Sequence, residues 1–266
     1  MKYLIRTLLF LALFCASFYG YNSRHDIHQY FADSARGSVI PSLQQESSHK
    51  VLFTSNGKAT WQCSATAIGP HALLTAKHCY AEADTVKIDL SERTYNIVGV
   101  GEDGRDHVIL LVDGPKFRHY LLPSMLIGVR YPAPDAAVHI FGDGLGAFPP
   151  ERKDGKVDTK AVVADSDVDH EEGLFWYQLA IKHGDSGAAI YNEQGQVVGV
   201  INLGMGGLNF VDEFDESASF ALGFSKETLL IAQSYEPKET QNGSNPSGTD
   251  KNVPKGPRTL DPRSSH

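Results

Sequence analysis

The chain has 266 residues, and its 24 lysines and arginines against 32 aspartates and glutamates give a net charge of −8 with histidines neutral. This acidic balance disfavours nucleic acid and anionic membrane surfaces as partners. Hydrophobic residues make up 41% of the chain, enough for a packed core, and no internal stretch approaches the ~20 apolar residues of a membrane span, so a wholly disordered chain and a polytopic membrane protein are both excluded.

The N-terminal segment has the layout of a secretory signal peptide. Lys2 and Arg6 precede an apolar run over residues 8–14, and small residues follow that run. We therefore expect residues 1–17 to be removed on export. The expected location is secreted or periplasmic, without stable membrane insertion after cleavage. A membrane anchor or a buried first helix is the alternative, although the apolar run is shorter than a bilayer is thick.

The other end of the chain has the composition of a disordered tail. Residues 236–266 are rich in Pro, Gly, Ser, Asn and Lys, and Val253 and Leu260 are their only aliphatic side chains. Such a segment cannot bury enough apolar area to offset the entropy lost on ordering. The folded body is therefore expected to end near residue 235.

Between these ends, about twelve short apolar segments alternate with turn residues. This spacing predicts an all-β barrel or sandwich rather than alternating strands and helices. Residues 191–197 predict a hairpin in which Gly195 takes a positive φ, and only residues 226–235 have a helical pattern, with Ser225 as N-cap. The predicted strands are residues 51–54, 64–68, 72–75, 86–90, 95–100, 108–112, 137–141, 160–164, 175–180, 188–191, 197–203 and 219–223.

A short string before one of these strands carries a candidate nucleophile. Residues 184–187 read Gly-Asp-Ser-Gly, and a serine between glycines leaves its Oγ exposed and lets the backbone approach a substrate. An ordinary polar turn is the alternative if this string stood alone. Residues 75–79 favour the catalytic interpretation, because Thr-Ala-Lys-His-Cys places a histidine next to a cysteine at the end of another apolar strand. Cys63 and Cys79 are the only cysteines left after signal removal, and export permits a disulfide.

Together, these motifs resemble the chymotrypsin-like serine endopeptidases over about residues 38–235. The resemblance implies an all-β fold of two six-stranded antiparallel barrels with the active site in the cleft between them. Residues 38–120 would form the first barrel and residues 135–235 the second barrel with a short C-terminal helix. Residues 121–134, which carry three prolines and a glycine, would connect the barrels.

The resemblance assigns a catalytic triad of His78, Asp106 and Ser186. In the family the aspartate precedes a short buried strand, and the apolar run directly after Asp106 fits that pattern. Asp103, in the same loop, is the rival. His78 would act as general base, Ser186 as nucleophile in an acyl-enzyme mechanism, and the carboxylate would hold the imidazole tautomer. The backbone N–H groups of Gly184 and Ser186 would form the oxyanion hole.

The resemblance also implies a disulfide and a processing step. A Cys63–Cys79 bridge would pin the histidine loop to its neighbouring strand. Residues 38–41 read Ser-Val-Ile-Pro, which is similar to the start of the glutamyl endopeptidases. We therefore expect residues 18–37 to be a propeptide.

The resemblance also assigns five positions to the pocket that receives the side chain before the scissile bond. Ala180 falls at the pocket floor and offers no charge, so a buried Lys or Arg would lack a partner there. Ile201 falls where glutamyl endopeptidases place the histidine that binds an acidic side chain. Gly204 leaves the wall open, His183 stands at the entrance, and Asn202 is assigned to the same pocket. Cleavage after uncharged residues is the expectation.

No metal or cofactor is predicted. His25 and His28 have the spacing of metal ligands but no third ligand in view. The acidic stretch 165–169 begins like a calcium loop, yet His170 replaces the glycine and Trp176 the closing glutamate. We expect a monomeric enzyme acting on protein or peptide substrates, with a catalytically inactive peptide- or protein-binding relative as the alternative.

Overall fold

The computed structural model describes residues 39–89, 94–126, 132–144, 149–158, 174–208, 213–237 and 258–259. The chain divides into two units, Met1–Ser42 and Leu43–His266, and only residues 39–42 of the first are described. The predicted signal peptide, the propeptide, the strand 160–164 and the acidic stretch 165–169 lie outside the described residues.

The first half of the Leu43–His266 unit is a closed antiparallel barrel of six strands. The order β5-β4-β1-β2-β3-β6 is completed by direct pairing of β5 with β6. Apolar side chains on its strands are fully buried, among them Phe53, Leu73, Leu74 and Ile109. The strands are β1 (Ser48–Ser55), β2 (Lys58–Gly69), β3 (Ala72–Ala76), β4 (Thr85–Ile88), β5 (Thr94–Glu102) and β6 (His107–Asp113).

The second half is a nearly closed barrel built around six antiparallel strands. They follow the order β14-β9-β8-β7-β11-β12, and the bridge between Gly199 and Ala221 brings β12 to the end of β14. The expected fold of two six-stranded barrels is confirmed. The strands are β7 (Ala137–Gly142), β8 (Glu151–Val157), β9 (Leu174–Gln178), β10 (Ile181–Lys182), β11 (Ala189–Asn192), β12 (Val197–Val200), β13 (Leu203–Leu208) and β14 (Glu213–Phe220), with β10 and β13 also paired to β14.

The short turn and the C-terminal helix follow the sequence-based predictions. β11 and β12 form the predicted hairpin, with Gly195 at φ 74°. The Ser225 side chain accepts a hydrogen bond from the Thr228 N–H and so caps the helix. The helices are α1 (Val39–Ser47), α2 (Lys77–Tyr80), α3 (Pro123–Leu126) and α4 (Lys226–Ser234).

Several elements differ from the expectations. Helix α1 and strand β8 were not predicted, and α3 lies inside the predicted connector. In the tail, β15 (Arg258–Thr259) pairs in parallel with β5, so these two residues contact the first barrel although the tail is expected to lack structure. Within the described part of the chain, no helix has the length and apolar character needed to cross a membrane.

Candidate active site

The fold brings His78 against Asp106. Strand β3 is buried throughout and ends at Ala76, so the following turn α2 places His78 at the surface with 43% of its side chain exposed. The His78 Nδ1 atom lies 2.6 Å from Asp106 Oδ2, and the His78 backbone N–H donates to Asp106 Oδ1 at 2.8 Å. Two contacts to one carboxylate fix both the ring and its backbone, which is the arrangement that orients a general base.

Asn202 holds the same carboxylate from the second barrel. Its Nδ2 donates to Asp106 Oδ2 at 2.9 Å and to the Asp106 carbonyl at 2.8 Å, while its Oδ1 accepts from the Ser219 hydroxyl at 2.9 Å. Burial raises the pKa of Asp106, but the hydrogen bonds from His78 and Asn202 outweigh it, so the pKa lies below its usual value. Asp106 is therefore ionised at neutral pH.

The rival Asp103 has a different partner. Its Oδ2 lies 2.6 Å from His107 Nδ1, both side chains are fully buried, and it accepts a hydrogen bond from the Gly223 N–H. Burial raises the pKa of Asp103, but His107 and the backbone N–H groups of Gly223 and Arg105 together outweigh it, so the pKa lies below its usual value. The structure thus places Asp106, and not Asp103, beside His78.

The loop that carries Ser186 is anchored to the first barrel. The Ser64 N–H donates to the Ser186 carbonyl at 2.8 Å, and the Ser64 hydroxyl donates to the Gly184 carbonyl at 2.8 Å. Gly187 has φ 86°, and a Cβ there would overlap the Ser64 carbonyl and the Thr75 hydroxyl, so this close approach requires glycine.

These contacts bring Ser186 close to the histidine turn. The Ser186 carbonyl lies 3.7 Å from Sγ of Cys79, the residue after His78. The N–H groups of Gly184 and Ser186 donate to no acceptor in the described part of the chain, as an oxyanion hole requires. The hydrogen bonds of His78 within the described residues both go to Asp106, so the contact between His78 and the Ser186 hydroxyl stays a prediction.

The predicted disulfide is present between Cys63 and Cys79, whose Cα atoms are 6.2 Å apart. Cys63 lies in β2 and Cys79 in α2, so the bridge joins the histidine turn to the strand that also carries Ser64. The same strand therefore supports both the turn that carries His78 and the loop that carries Ser186.

The five predicted pocket positions fall into two groups. Ala180 and His183 are exposed and precede the Ser186 loop in the chain. Ile201 is fully buried within the core of the second barrel, Asn202 is buried on Asp106, and Gly204 pairs with Ser217 of β14. Their contact with a substrate stays a prediction.

Several side chains of the site carry no recognisable sequence signal. The role of Ser64 depends on strand packing between barrels, and that of Asn202 depends on a loop from the second barrel reaching the first. Asp143 is also unexpected, because it is 1% exposed and neither carboxylate oxygen has a hydrogen-bond partner among the described residues. Burial, Asp89 and Asp185 raise its pKa to about 7.

Among the described residues no cluster of His, Cys, Asp and Glu could hold a metal.

The two barrels and the site between them define a chymotrypsin-like serine protease. The trypsin-like peptidase domain matches residues 63–200, just over half of the chain, and the chain belongs to this family. No curated protein matches it.

Solved structures share the fold at low identity. The Rv3671c protease from M. tuberculosis in its active form is 16% identical with a TM-score of 0.53, over 71% of this chain and 82% of that chain. Its inactive form is 15% identical with a TM-score of 0.53, over 71% and 90%. The HtrA-type protease AlgW, solved with a tripeptide, is 16% identical with a TM-score of 0.55, over 72% and 62%.

Proposed function

We propose that the protein is an exported serine endopeptidase in which Ser186, His78 and Asp106 form the triad. The observation that carries the proposal is the His78–Asp106 pair, fixed by two contacts and braced by Asn202, on the turn that adjoins the Ser186 loop. The disulfide supports export, because such bonds persist in oxidising compartments.

In this mechanism His78 takes the Ser186 proton while Oγ attacks the scissile carbonyl. The ionised Asp106 stabilises the imidazolium that forms. The N–H groups of Gly184 and Ser186 bind the carbonyl oxygen as it becomes negative. His78 then donates its proton to the leaving amine. In the second half of the reaction, water attacks the acyl-enzyme and gives a proton to His78, which returns it to Ser186 Oγ as the acid product leaves. No step needs a cofactor.

We propose protein or peptide substrates cut after uncharged residues. Ala180 beside the loop has no charge to pair with Lys or Arg, and Ile201 lies in an apolar core that would disfavour an acidic side chain. A peptide library read by mass spectrometry tests this preference, and a dominant cut after Lys, Arg or Glu contradicts the pocket assignment while leaving the triad untouched.

The triad is tested with a fluorophosphonate probe, which labels only an activated serine quickly. We expect rapid labelling of the wild type on Ser186 and its loss in Ser186→Ala and in His78→Ala, since triad members act as a unit. The control is His119→Ala, which removes a partly exposed histidine paired with Glu46 and should label normally. A folded wild type that is not labelled would instead indicate the inactive, peptide-binding relative.

A further inference from the structure

The loop that carries Asp106 is bonded to the second barrel by the residue directly before Asp106. Nη1 of Arg105 donates a hydrogen bond to the Ala221 carbonyl at 2.5 Å. Arg105 is half-buried, so water competes less for this bond than for one on the surface. A charged donor also makes a stronger hydrogen bond than a neutral one. Arg105 therefore joins the two barrels beside the proposed triad carboxylate.

Ala221 is a fixed point of the second barrel. It is 3% exposed, belongs to the apolar core of that barrel and pairs with Gly199 of β12. A Cβ on Gly199 would lie 2.6 Å from the Phe220 carbonyl, so the two segments are in close contact. The carbonyl that Arg105 binds is therefore held in place where the second barrel closes.

The loop that carries Ser186 is bonded to the same part of the second barrel. The Gly187 N–H donates to the Ile201 carbonyl at 2.8 Å. Ile201 follows Gly199 by only two residues. The segment that supports the proposed nucleophile is therefore the one whose pairing fixes the acceptor of Arg105.

The backbone of Arg105 is fixed as well. Its N–H donates to Asp103 Oδ1 at 3.0 Å, and Asp103 Oδ2 accepts from the N–H of Gly223, three residues after β14, at 2.9 Å. A Cβ on Gly223 would lie 3.2 Å from that oxygen, so the loop and the second barrel are in close contact here too. The guanidinium therefore extends to Ala221 from a defined starting point.

We infer that Arg105 is a positioning residue for catalysis. Its bond to the second barrel fixes the His78–Asp106 pair at the distance from Ser186 that proton transfer requires. The inference rests on the proposed serine protease function. Both contacts between His78 and Asp106 lie within the first barrel, so the pair forms without Arg105. A displacement of about 1 Å relative to Ser186 is nevertheless enough to slow the reaction about 10²-fold.

The test compares Arg105→Met, Arg105→Lys and the control Arg118→Met, which removes an exposed arginine from the segment after β6. Acylation is measured as the second-order rate of fluorophosphonate labelling and as the p-nitrophenyl acetate burst. We expect Arg105→Met to slow acylation about 10–10²-fold, because methionine has no donor for the Ala221 carbonyl. Arg105→Lys should recover part of the rate, because its ammonium can still donate. Arg118→Met should stay within about twofold of the wild type.

A second variant perturbs the same contact from the other barrel. Gly223→Ala would displace Asp103 and with it the Arg105 backbone, so we expect it to slow acylation several-fold. Circular dichroism checks the folding of each variant. Modification by diethyl pyrocarbonate, mapped to His78 by mass spectrometry, checks the base itself. Because His78 is 43% exposed and paired within the first barrel, its modification rate should match that of the wild type.

A folded Arg105→Met or Gly223→Ala variant that acylates at the wild-type rate overturns the inference. Slow acylation together with a changed modification rate of His78 also overturns it, because the loop itself would then be altered rather than its distance from Ser186. A wild type that is not labelled at all overturns the proposed function, and this inference with it.

Discussion

At the scale of single residues, two aspartates three positions apart have separate partners. Asp106 directly precedes β6, so its carboxylate points to His78 on the neighbouring turn, while Asp103 turns back to His107, the first residue of β6. Both pKa values lie below the usual value, so each carboxylate contributes stability above about pH 4 that is lost as the pH falls through its folded pKa. Their catalytic contributions are expected to differ.

The variants Asp106→Asn and Asp103→Asn distinguish the roles of the two aspartates. We expect Asp106→Asn to slow fluorophosphonate labelling by about 10³–10⁴-fold, because an amide no longer stabilises imidazolium. Asp103→Asn should label within about tenfold of the wild type but lower the free energy of unfolding by about 1–3 kcal/mol, because His107 loses a charged partner. Labelling rates and urea titrations measure both effects, and the reverse pattern would assign the triad to Asp103.

At this scale the sequence predicts the residues that chemistry constrains. The serine between glycines and the histidine beside a cysteine are recognisable because the backbone conformation and the disulfide restrict those positions. Asn202 was assigned to the substrate pocket, yet its amide lies on Asp106. No local pattern reveals this, because the contact joins residues 96 positions apart from different barrels.

At the scale of secondary structure, apolar segments of the sequence predicted strands well, whereas the highly charged strand β8 was not predicted. Strand β8 reads Glu-Arg-Lys-Asp-Gly-Lys-Val, with only Val157 fully buried, so it lacks the alternation of a half-buried strand. It forms because β7 and β9 pair with it on either side. Helix α1 was also missed. It is fixed by distant contacts such as that of Gln44 with His139, 2.9 Å apart, which no helical pattern announces.

The disulfide between β2 and α2 is tested with the double variant Cys63→Ala/Cys79→Ala. Its loop spans 16 residues, and on the chain-entropy model we expect the free energy of unfolding to fall by about 3 kcal/mol. Urea denaturation measures the loss, and the wild type under reducing conditions should match the double variant. Mass spectrometry of non-reduced peptides provides the check, because two free thiols in the native protein would contradict the bridge.

At the scale of the whole molecule, two buried groups make the free energy of unfolding depend on pH in opposite directions. Burial, with a smaller effect from Arg152, lowers the pKa of His139 to about 4 from 6.5. The unfolded chain then binds more protons between pH 4 and 6.5, so stability falls as the pH drops through that window, by about 3 kcal/mol in all. Burial raises the pKa of Asp143 to about 7 from 3.8. The folded chain binds more protons there, so stability falls as the pH rises from about 4 to 7.

The variants His139→Gln and Asp143→Asn measure these two pH dependences of stability separately. Asp143→Asn has no carboxylate to ionise, so relative to wild type we expect it to gain up to about 4 kcal/mol at pH 8 and little at pH 4. His139→Gln keeps a donor toward Gln44 but no titrating ring, so its stability should lose about 3 kcal/mol less than wild type between pH 7 and pH 4. Urea titrations of the three proteins at pH 4, 6 and 8 measure both differences. Parallel pH profiles for the three proteins would show that neither group titrates as its burial requires.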